Sequence, residues 1–236
     1  TRYGIYRNFV GKFQDWVKTL DDGEFKKILE FPGWDVRSPG ALTRTKINRN
    51  PSPLPALRPW LPSCLQFFEV LARGERPPHE NPTADINLLF ERRCADAFQC
   101  LGFNVTRLGQ GKGRLPDLFA LANKERFAVL VDAKLRRDQY VVGTEDRKFS
   151  EYADQCSKQL TRDGFDRLYF VIVSSSFHES DANKLNEYLT GSPVRRSSLI
   201  TARALMRLVE DSIRNRSSFQ LDEIEKLIST KPLVLT

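Results

Sequence analysis

The sequence predicts an α/β fold: a three-layer α/β sandwich with a central mixed β-sheet, preceded by a small, mainly helical N-terminal region. Two observations lead to this fold class. Beyond residue 82, segments follow in the order helix, a sheet of mainly three strands, then helix–strand–helix. The chain has 236 residues, of which 40% are hydrophobic, so it can bury a large core.

The first eighty residues differ in pattern from the rest. Segments 9–20 and 24–29 have the spacing of two short amphipathic helices with an Asp-Asp-Gly turn between them. Segment 32–62 is rich in proline, which breaks helices and is excluded from central strands. A further helix is predicted at 65–71, and the Pro-rich segment 76–82 is the best candidate for a domain boundary.

We therefore divide the chain into a small accessory region, residues 1–75 with its Pro-rich connector, and a larger domain, residues 83–236. The larger domain opens with a helix that Thr83 or Asp85 caps and Gly102 ends. The next predicted elements are a strand at 103–108, a flexible glycine-rich loop at 109–113, and strands at 118–122 and 127–135 joined by a four-residue turn. A helix at about 147–163, a strand at 168–173 and helices near 181–189, 202–215 and 221–228 follow.

Composition excludes several protein classes. The sequence has no apolar run of the ~20 residues that a membrane span needs and no signal-peptide pattern, so we expect a cytoplasmic protein without a membrane partner. The four cysteines have no metal-ligand spacing and are expected to be reduced thiols. The 37 Lys and Arg exceed the 30 Asp and Glu by 7, which favours a polyanionic partner. Because the chain starts at Thr1 and its single methionine is Met206, we expect a fragment or a trimmed form.

Three charged residues are predicted to meet at one end of the sheet. Asp117 begins one strand, and Asp132 and Lys134 lie near the end of its hairpin partner, two residues apart and therefore on the same face. Two neighbouring carboxylates repel each other, and a divalent cation relieves the repulsion; oxygen ligands without His or Cys suit Mg²⁺. Lys134 would orient or deprotonate a water there. Glu91, on the preceding helix, would supply a third carboxylate, although each of these residues taken alone also fits a surface salt bridge.

The same residues resemble a known motif. Glu91, Pro116-Asp117 and Asp132-Ala133-Lys134 resemble the PD-(D/E)xK nuclease motif, and residues 87–210 are similar to the cleavage-domain family of the type IIS restriction endonuclease FokI. Supporting features are Gly102-Phe103 after the helix, the 140–143 loop with Tyr140 and Gly143, the apolar strand 168–174, Phe177, and the strand 198–201. The resemblance implies a restriction-endonuclease-like fold.

It also implies a function: a Mg²⁺-dependent endonuclease that hydrolyses double-stranded DNA. By position, Asp117 and Asp132 would ligate the metal, the Ala133 carbonyl would complete the site, and Lys134 would position the attacking water. Similar domains cut both strands as pairs, which implies a homodimer whose pairing surface includes residues 146–158. The alternative is that this helix only covers the sheet, and both readings can hold together.

Four basic residues are candidate DNA contacts. Lys112 and Arg114 lie in the glycine-rich loop, and Arg136 and Arg137 follow Lys134; a flexible turn and a solvated pair are the respective alternatives. The accessory region would bind DNA or connect to other modules. Competing functions are a Holliday-junction resolvase-like or Mrr-like nuclease, and a non-catalytic DNA-binding protein that retains the fold.

Overall fold

The computed structural model describes residues 57–78, 80–108, 115–143 and 148–235. The predicted helices at 9–20 and 24–29 and the glycine-rich loop lie outside these residues. The chain divides into two units, Thr1–Leu54 and Pro55–Thr236, and the second unit contains every described residue. The placement of the accessory region and its boundary at 76–82 stays a prediction.

Within the described residues, six strands form one mixed sheet in the order β1-β2-β3-β4-β5-β6. The strands are β1 (Asn104–Arg107), β2 (Leu118–Ala122), β3 (Phe127–Lys134), β4 (Arg167–Ser174), β5 (Arg196–Thr201) and β6 (Leu233–Val234). The helices are α1 (Phe68–Ala72), α2 (Ile86–Leu101), α3 (Lys148–Arg162), α4 (Asp181–Tyr188), α5 (Ala202–Arg214) and α6 (Leu221–Thr230), with one turn of 3₁₀ helix at Ser63–Leu65. No helix in these ranges is long and apolar enough to cross a membrane.

The direction of the strands follows from their connections. β1, β2 and β3 pair antiparallel because short connections join them, whereas β3, β4, β5 and β6 pair parallel, with a helix between each consecutive pair. The mixed sheet is therefore as predicted. It has one strand that the sequence pattern did not predict, β6, which has only two residues, too few for a periodic pattern.

Side chains alternate between two cores along the central strands. In β3, Phe127, Val129 and Val131 face one core, which α1, α2, α5 and α6 cover; Ala128 and Leu130 face the other, which α3 and α4 cover. Because both faces are covered, β3 and β4 are apolar on both sides, as is typical of a sheet between two helical layers. The three-layer sandwich is thus confirmed.

The segment before α2 packs on the same core. Phe68 is fully buried and its ring lies 5.1 Å from that of Phe90. Arg58 joins this segment to α5 through a hydrogen bond of 2.9 Å from its Nε to Glu210. Residues 57–75 therefore contribute to the fold that carries the sheet. They fall in the accessory region that the sequence predicts, before the boundary at 76–82.

The caps of α2 agree with the sequence prediction. The Asp85 side chain accepts a hydrogen bond from the Asn87 amide at 2.8 Å, which caps the helix. At the other end Gly102 has a φ of 106°, and the Phe103 amide donates to the Phe98 carbonyl. This left-handed residue turns the chain from α2 into β1.

Replacing Gly102 should therefore cost stability through the backbone alone, since no atom lies within 4 Å of a Cβ placed there. We expect Gly102→Ala to lower the free energy of unfolding by about 1 kcal/mol, and Gly102→Asn by less, because Asn tolerates left-handed conformations. Urea unfolding of the three proteins checks this. Equal stability of the wild type and Gly102→Ala would contradict it.

Candidate active site

The start of β2 and the end of β3 hold the first carboxylate in place. The Asp117 amide donates to the Val131 carbonyl at 3.1 Å, and the Asp117 Oδ2 accepts from the Ala133 amide at 2.6 Å. Pro116, just before, has no N–H with which to extend the ladder. The Asp117 carboxylate thus accepts the hydrogen bond that a backbone carbonyl would accept in a longer β2. This bond holds the side chain against β3.

The second carboxylate and the lysine are neighbours on one face of β3. Asp132 is 3% exposed, and its Oδ2 lies 2.5 Å from the Lys134 Nζ. The Lys134 ammonium also lies 5.7 Å from the centre of the Phe149 ring, on α3. Asp132 and Lys134 therefore share a face, as the period of two predicts, and the structure brings both beside Asp117.

Asp117 carries the electrostatic cost of this arrangement. Its pKa is raised from 3.8 to about 7, first by burial and then by the neighbouring charge of Asp132. Glu91 raises it further, whereas the hydrogen bond from the Ala133 amide and the charge of Lys134 lower it. Since neighbouring carboxylates disfavour the ionised form of Asp117, a cation bound in the cluster would stabilise that form.

Cys94, on α2, marks the inner wall of the cluster. It is fully buried, and burial raises the pKa of its thiol well above the usual range, with Asp117, Glu91 and Asp132 contributing in that order. The thiol is a small core group and not a nucleophile. Glu91 therefore lies within electrostatic range of Asp117, while its direct contact with a metal stays a prediction.

The donor set agrees with the coordination habits of Mg²⁺. Within the described residues, no group of three or more His, Cys, Asp or Glu side chains is arranged to hold a metal ion. Mg²⁺, however, keeps several waters and takes one or two carboxylates. The Asp117 and Asp132 carboxylates fit that donor set; their role as ligands, and that of the Ala133 carbonyl which the resemblance implies, stay predictions.

The segment after β3 is attached to the segment after β4 by side chains that sequence reasoning did not assign. Ser174 donates from its Oγ to the Lys134 carbonyl at 2.6 Å, and Ser175 Oγ lies within hydrogen-bond distance of the Arg136 and Asp138 carbonyls, at 2.9 and 2.7 Å. These serines look like a polar strand end in sequence, and only the parallel register of β3 and β4 shows their partners.

A buried acid extends the same attachment. Asp181, at the start of α4, is fully buried and accepts from the Val142 amide at 3.3 Å and the His178 amide at 3.1 Å. It thereby connects the loop that follows β3 with the loop that follows β4. The long segment between Lys134 and α3 is consequently anchored at both of its described ends.

The four predicted DNA contacts divide into two pairs. Lys112 and Arg114 lie outside the described residues. Arg136 and Arg137 are exposed, and the Arg136 guanidinium lies 5.7 Å from the centre of the Tyr140 ring. Both side chains are thus available at the edge of the sheet that carries Lys134.

Comparison with known families agrees with this geometry. The family model described as the FokI cleavage domain matches residues 77–234, more than half of the chain. The chain belongs to the FokI cleavage-domain family. The resemblance stated from the sequence is therefore confirmed, and this FokI-type chain carries a restriction-type nuclease domain.

Solved structures show the same fold. The restriction endonuclease FokI bound to DNA aligns with a TM-score of 0.56 and 16% identity, over 77% of this chain and 32% of that chain. The restriction endonuclease FokI aligns with a TM-score of 0.56 and 15% identity, over 86% of this chain and 35% of that chain. The FokI-type chain thus spans about a third of the length of either structure. No curated protein matches it.

The raised pKa of Asp117 has a consequence for stability. An unfolded Asp ionises near pH 3.8, whereas Asp117 in the folded chain ionises near pH 7. Between these values the folded state binds more protons, so stability falls as the pH rises from about 4 to 7. A bound divalent cation favours the ionised form and should offset that fall.

We therefore expect Mg²⁺ to raise the melting temperature more at pH 8 than at pH 5.5, and Asp117→Asn to remove most of this difference. Thermal unfolding with Mg²⁺ or EDTA at both pH values measures it. Asp138→Asn, which removes an exposed carboxylate at the same sheet edge, is the matched control and should behave like the wild type. A Mg²⁺ effect equal at both pH values would argue against cation binding at Asp117.

Proposed function

We propose that this FokI-type chain is a Mg²⁺-dependent endonuclease that hydrolyses phosphodiester bonds of double-stranded DNA at Asp117, Asp132 and Lys134. The observation that carries the proposal is the pair of carboxylates that the β2–β3 hairpin holds beside one lysine. The elevated pKa of Asp117 supports it, because such a site stores repulsion that a cation relieves.

The chain's own residues divide the chemical work. Asp117 and Asp132 would bind the cation, with the Ala133 carbonyl beside them. When bound, Mg²⁺ lowers the pKa of a coordinated water and offsets charge on the scissile phosphate. Lys134 is held by Asp132 and Phe149, so its ammonium has a defined position from which to orient the attacking water. Glu91 would assist through water.

DNA as the partner is supported by charge and by likeness. The net charge is +7, and one of the similar structures is FokI bound to DNA. Arg136 and Arg137 are exposed beside Lys134 and would contact the backbone near the scissile bond. Lys112 and Arg114 are proposed for the same role. Residues 83–236 would form the catalytic domain, on whose core residues 61–72 pack. Residues 1–75 would form an accessory or DNA-binding region, in a cytoplasmic protein.

Pairing of two chains would place two such sites on the two DNA strands. The helix α3 covers the sheet with Phe149, Tyr152 and Cys156, so the covering role is present. Its opposite side exposes Asp154 and Lys158, a mixed-charge face suited to an isologous contact. We therefore assign the homodimer surface to the described part of segment 146–158.

Cleavage of a supercoiled plasmid tests the activity. With Mg²⁺ the wild type should give linear product, and with EDTA none. Asp117→Asn removes a proposed cation ligand, and Lys134→Ala removes the group that would orient the water. We expect each variant to lower the cleavage rate by about 10²–10⁴-fold. Gel analysis of initial rates makes the measurement.

Two controls keep the test specific. Both variants should retain the wild-type circular dichroism spectrum and bind a duplex in EDTA. Cleavage at the wild-type rate by either variant would show that the replaced residue has no part in the mechanism. A folded wild type that binds DNA but does not cut it would favour the non-catalytic DNA-binding function. A four-way junction cut faster than linear duplex would favour the resolvase-like alternative.

The pairing surface has its own test. We expect Asp154→Arg to weaken chain pairing through charge repulsion and to lower the double-strand cleavage rate about tenfold at low protein concentration, with recovery as concentration rises. Glu187→Arg, a matched charge reversal at an exposed residue of α4, should not have this effect. A wild-type rate that is first order in protein would contradict the homodimer.

A further inference from the structure

A basic cavity lies at the end of the sheet where β4 and β5 finish. Its volume is about 320 Å³, and its lining includes Ser175, Ser176, Thr201 and Ala202, which follow or end β4 and β5. Neither Asp117, Asp132 nor Lys134 lines it. It is therefore a separate feature of the same surface.

Three arginines from three separate segments line this cavity. Arg73 follows α1, Arg137 follows β3, and Arg203 lies in the first turn of α5. Glu69 is the acidic side chain of the lining, so the cavity carries an excess of two positive charges. That convergence indicates an anionic ligand, since like charges at a surface repel one another unless an anion lies between them.

The arginines are held loosely enough to exchange partners. Arg203 Nε lies 3.3 Å from Glu69, but the Arg203 side chain is 63% exposed. Arg73 pairs with Glu75 at 3.2 Å, with both side chains about 40–45% exposed. Glu69 also pairs with Arg58 at 3.2 Å, so its carboxylate keeps a partner when Arg203 turns to a phosphate oxygen. An exposed pair such as Arg73 with Glu75 contributes at most about 1 kcal/mol.

The hydroxyl residues of the lining, by contrast, are held by hydrogen bonds. Thr201 Oγ1 accepts from the Ala204 amide at 3.1 Å and donates to the Leu235 carbonyl at 2.9 Å. Ser175 supports the backbone at Arg136, next to Arg137. The first-turn N–H groups of the 13-residue α5 add positive potential at this end of the helix.

The sheet register fixes the distance from the active site. Lys134 lies opposite Ser174, which lies opposite Thr201. Two strand spacings place the backbone of Thr201, in the lining of the cavity, about 10 Å from the backbone of Lys134. This separation is short enough for one DNA backbone to reach both Lys134 and the cavity.

We propose that this cavity binds a backbone phosphate of the DNA close to, but distinct from, the scissile phosphate, through Arg73, Arg137 and Arg203. The inference rests on the proposed function and adds a contact that fixes the register of the same substrate. It makes Arg73 and Arg203, which the sequence did not single out, DNA-binding residues.

Salt-dependent binding of a short duplex in EDTA tests the cavity separately from cleavage. Each lost phosphate contact reduces the steepness of the fall of log K with log salt by about 0.9. The ratio of the Kd at 200 mM salt to the Kd at 50 mM salt should therefore be about 3.5-fold smaller in Arg203→Gln and in Arg73→Gln than in the wild type. Arg203→Lys retains the charge and should retain the wild-type slope.

The matched control is Arg207→Gln. It removes the same charge from an exposed residue one turn further along α5, outside the cavity lining, and should keep the wild-type slope. Equal slopes for Arg203→Gln, Arg73→Gln and Arg207→Gln would overturn the proposal. If Arg203→Gln does not fold, Arg73→Gln, at a partly exposed residue, decides alone.

The cleavage assay keeps the two proposals distinguishable. A wild type that binds with the expected slope but does not cut would count against the proposed nuclease activity and leave the phosphate contact in place. A wild type that cuts, together with unchanged slopes in the cavity variants, would retain the activity and reject the contact.

Discussion

The repulsion between Asp117 and Asp132 is the constraint on which the rest of the site depends. Backbone pairing of β2 with β3 fixes both residues, and the Ala133 amide holds the Asp117 carboxylate against the strand. Because the sheet holds both side chains in place, burial and, after it, the charge of Asp132 raise the pKa of Asp117 to about 7. A cation bound between the two carboxylates would relieve this repulsion. Burial of the two large apolar cores supplies the folding free energy that offsets it.

The two layers of helices serve different parts of this surface. On one side, α2 places Cys94 and Glu91 behind the carboxylates, and α1 and α5 carry arginines to the neighbouring cavity. On the other side, α3 contributes Phe149 beside Lys134 and turns a polar face to solvent. The proposed cation site, phosphate contact and pairing surface therefore lie in neighbouring regions of the same fold.

The polar residues after β3 and β4 show how a loop gains a defined position. Ser174 and Ser175 bind carbonyls of the segment after Lys134, and Asp181 binds amides of both loops. Since each of these groups satisfies a backbone donor or acceptor, the segment with Arg136 and Arg137 needs no secondary structure of its own to stay near the site.

The sequence by itself determined the layered α/β fold, most strand and helix bounds, and the grouping of Asp117, Asp132 and Lys134, because apolar periodicity, caps and the two-residue spacing on a strand are local signals. Tertiary structure alone decided the six-strand order with the short β6, the partners of Ser174, Ser175 and Asp181, and the meeting of Arg73, Arg137 and Arg203. These depend on which strands become neighbours and on contacts between residues far apart in the chain, and no local pattern encodes a neighbour of that kind.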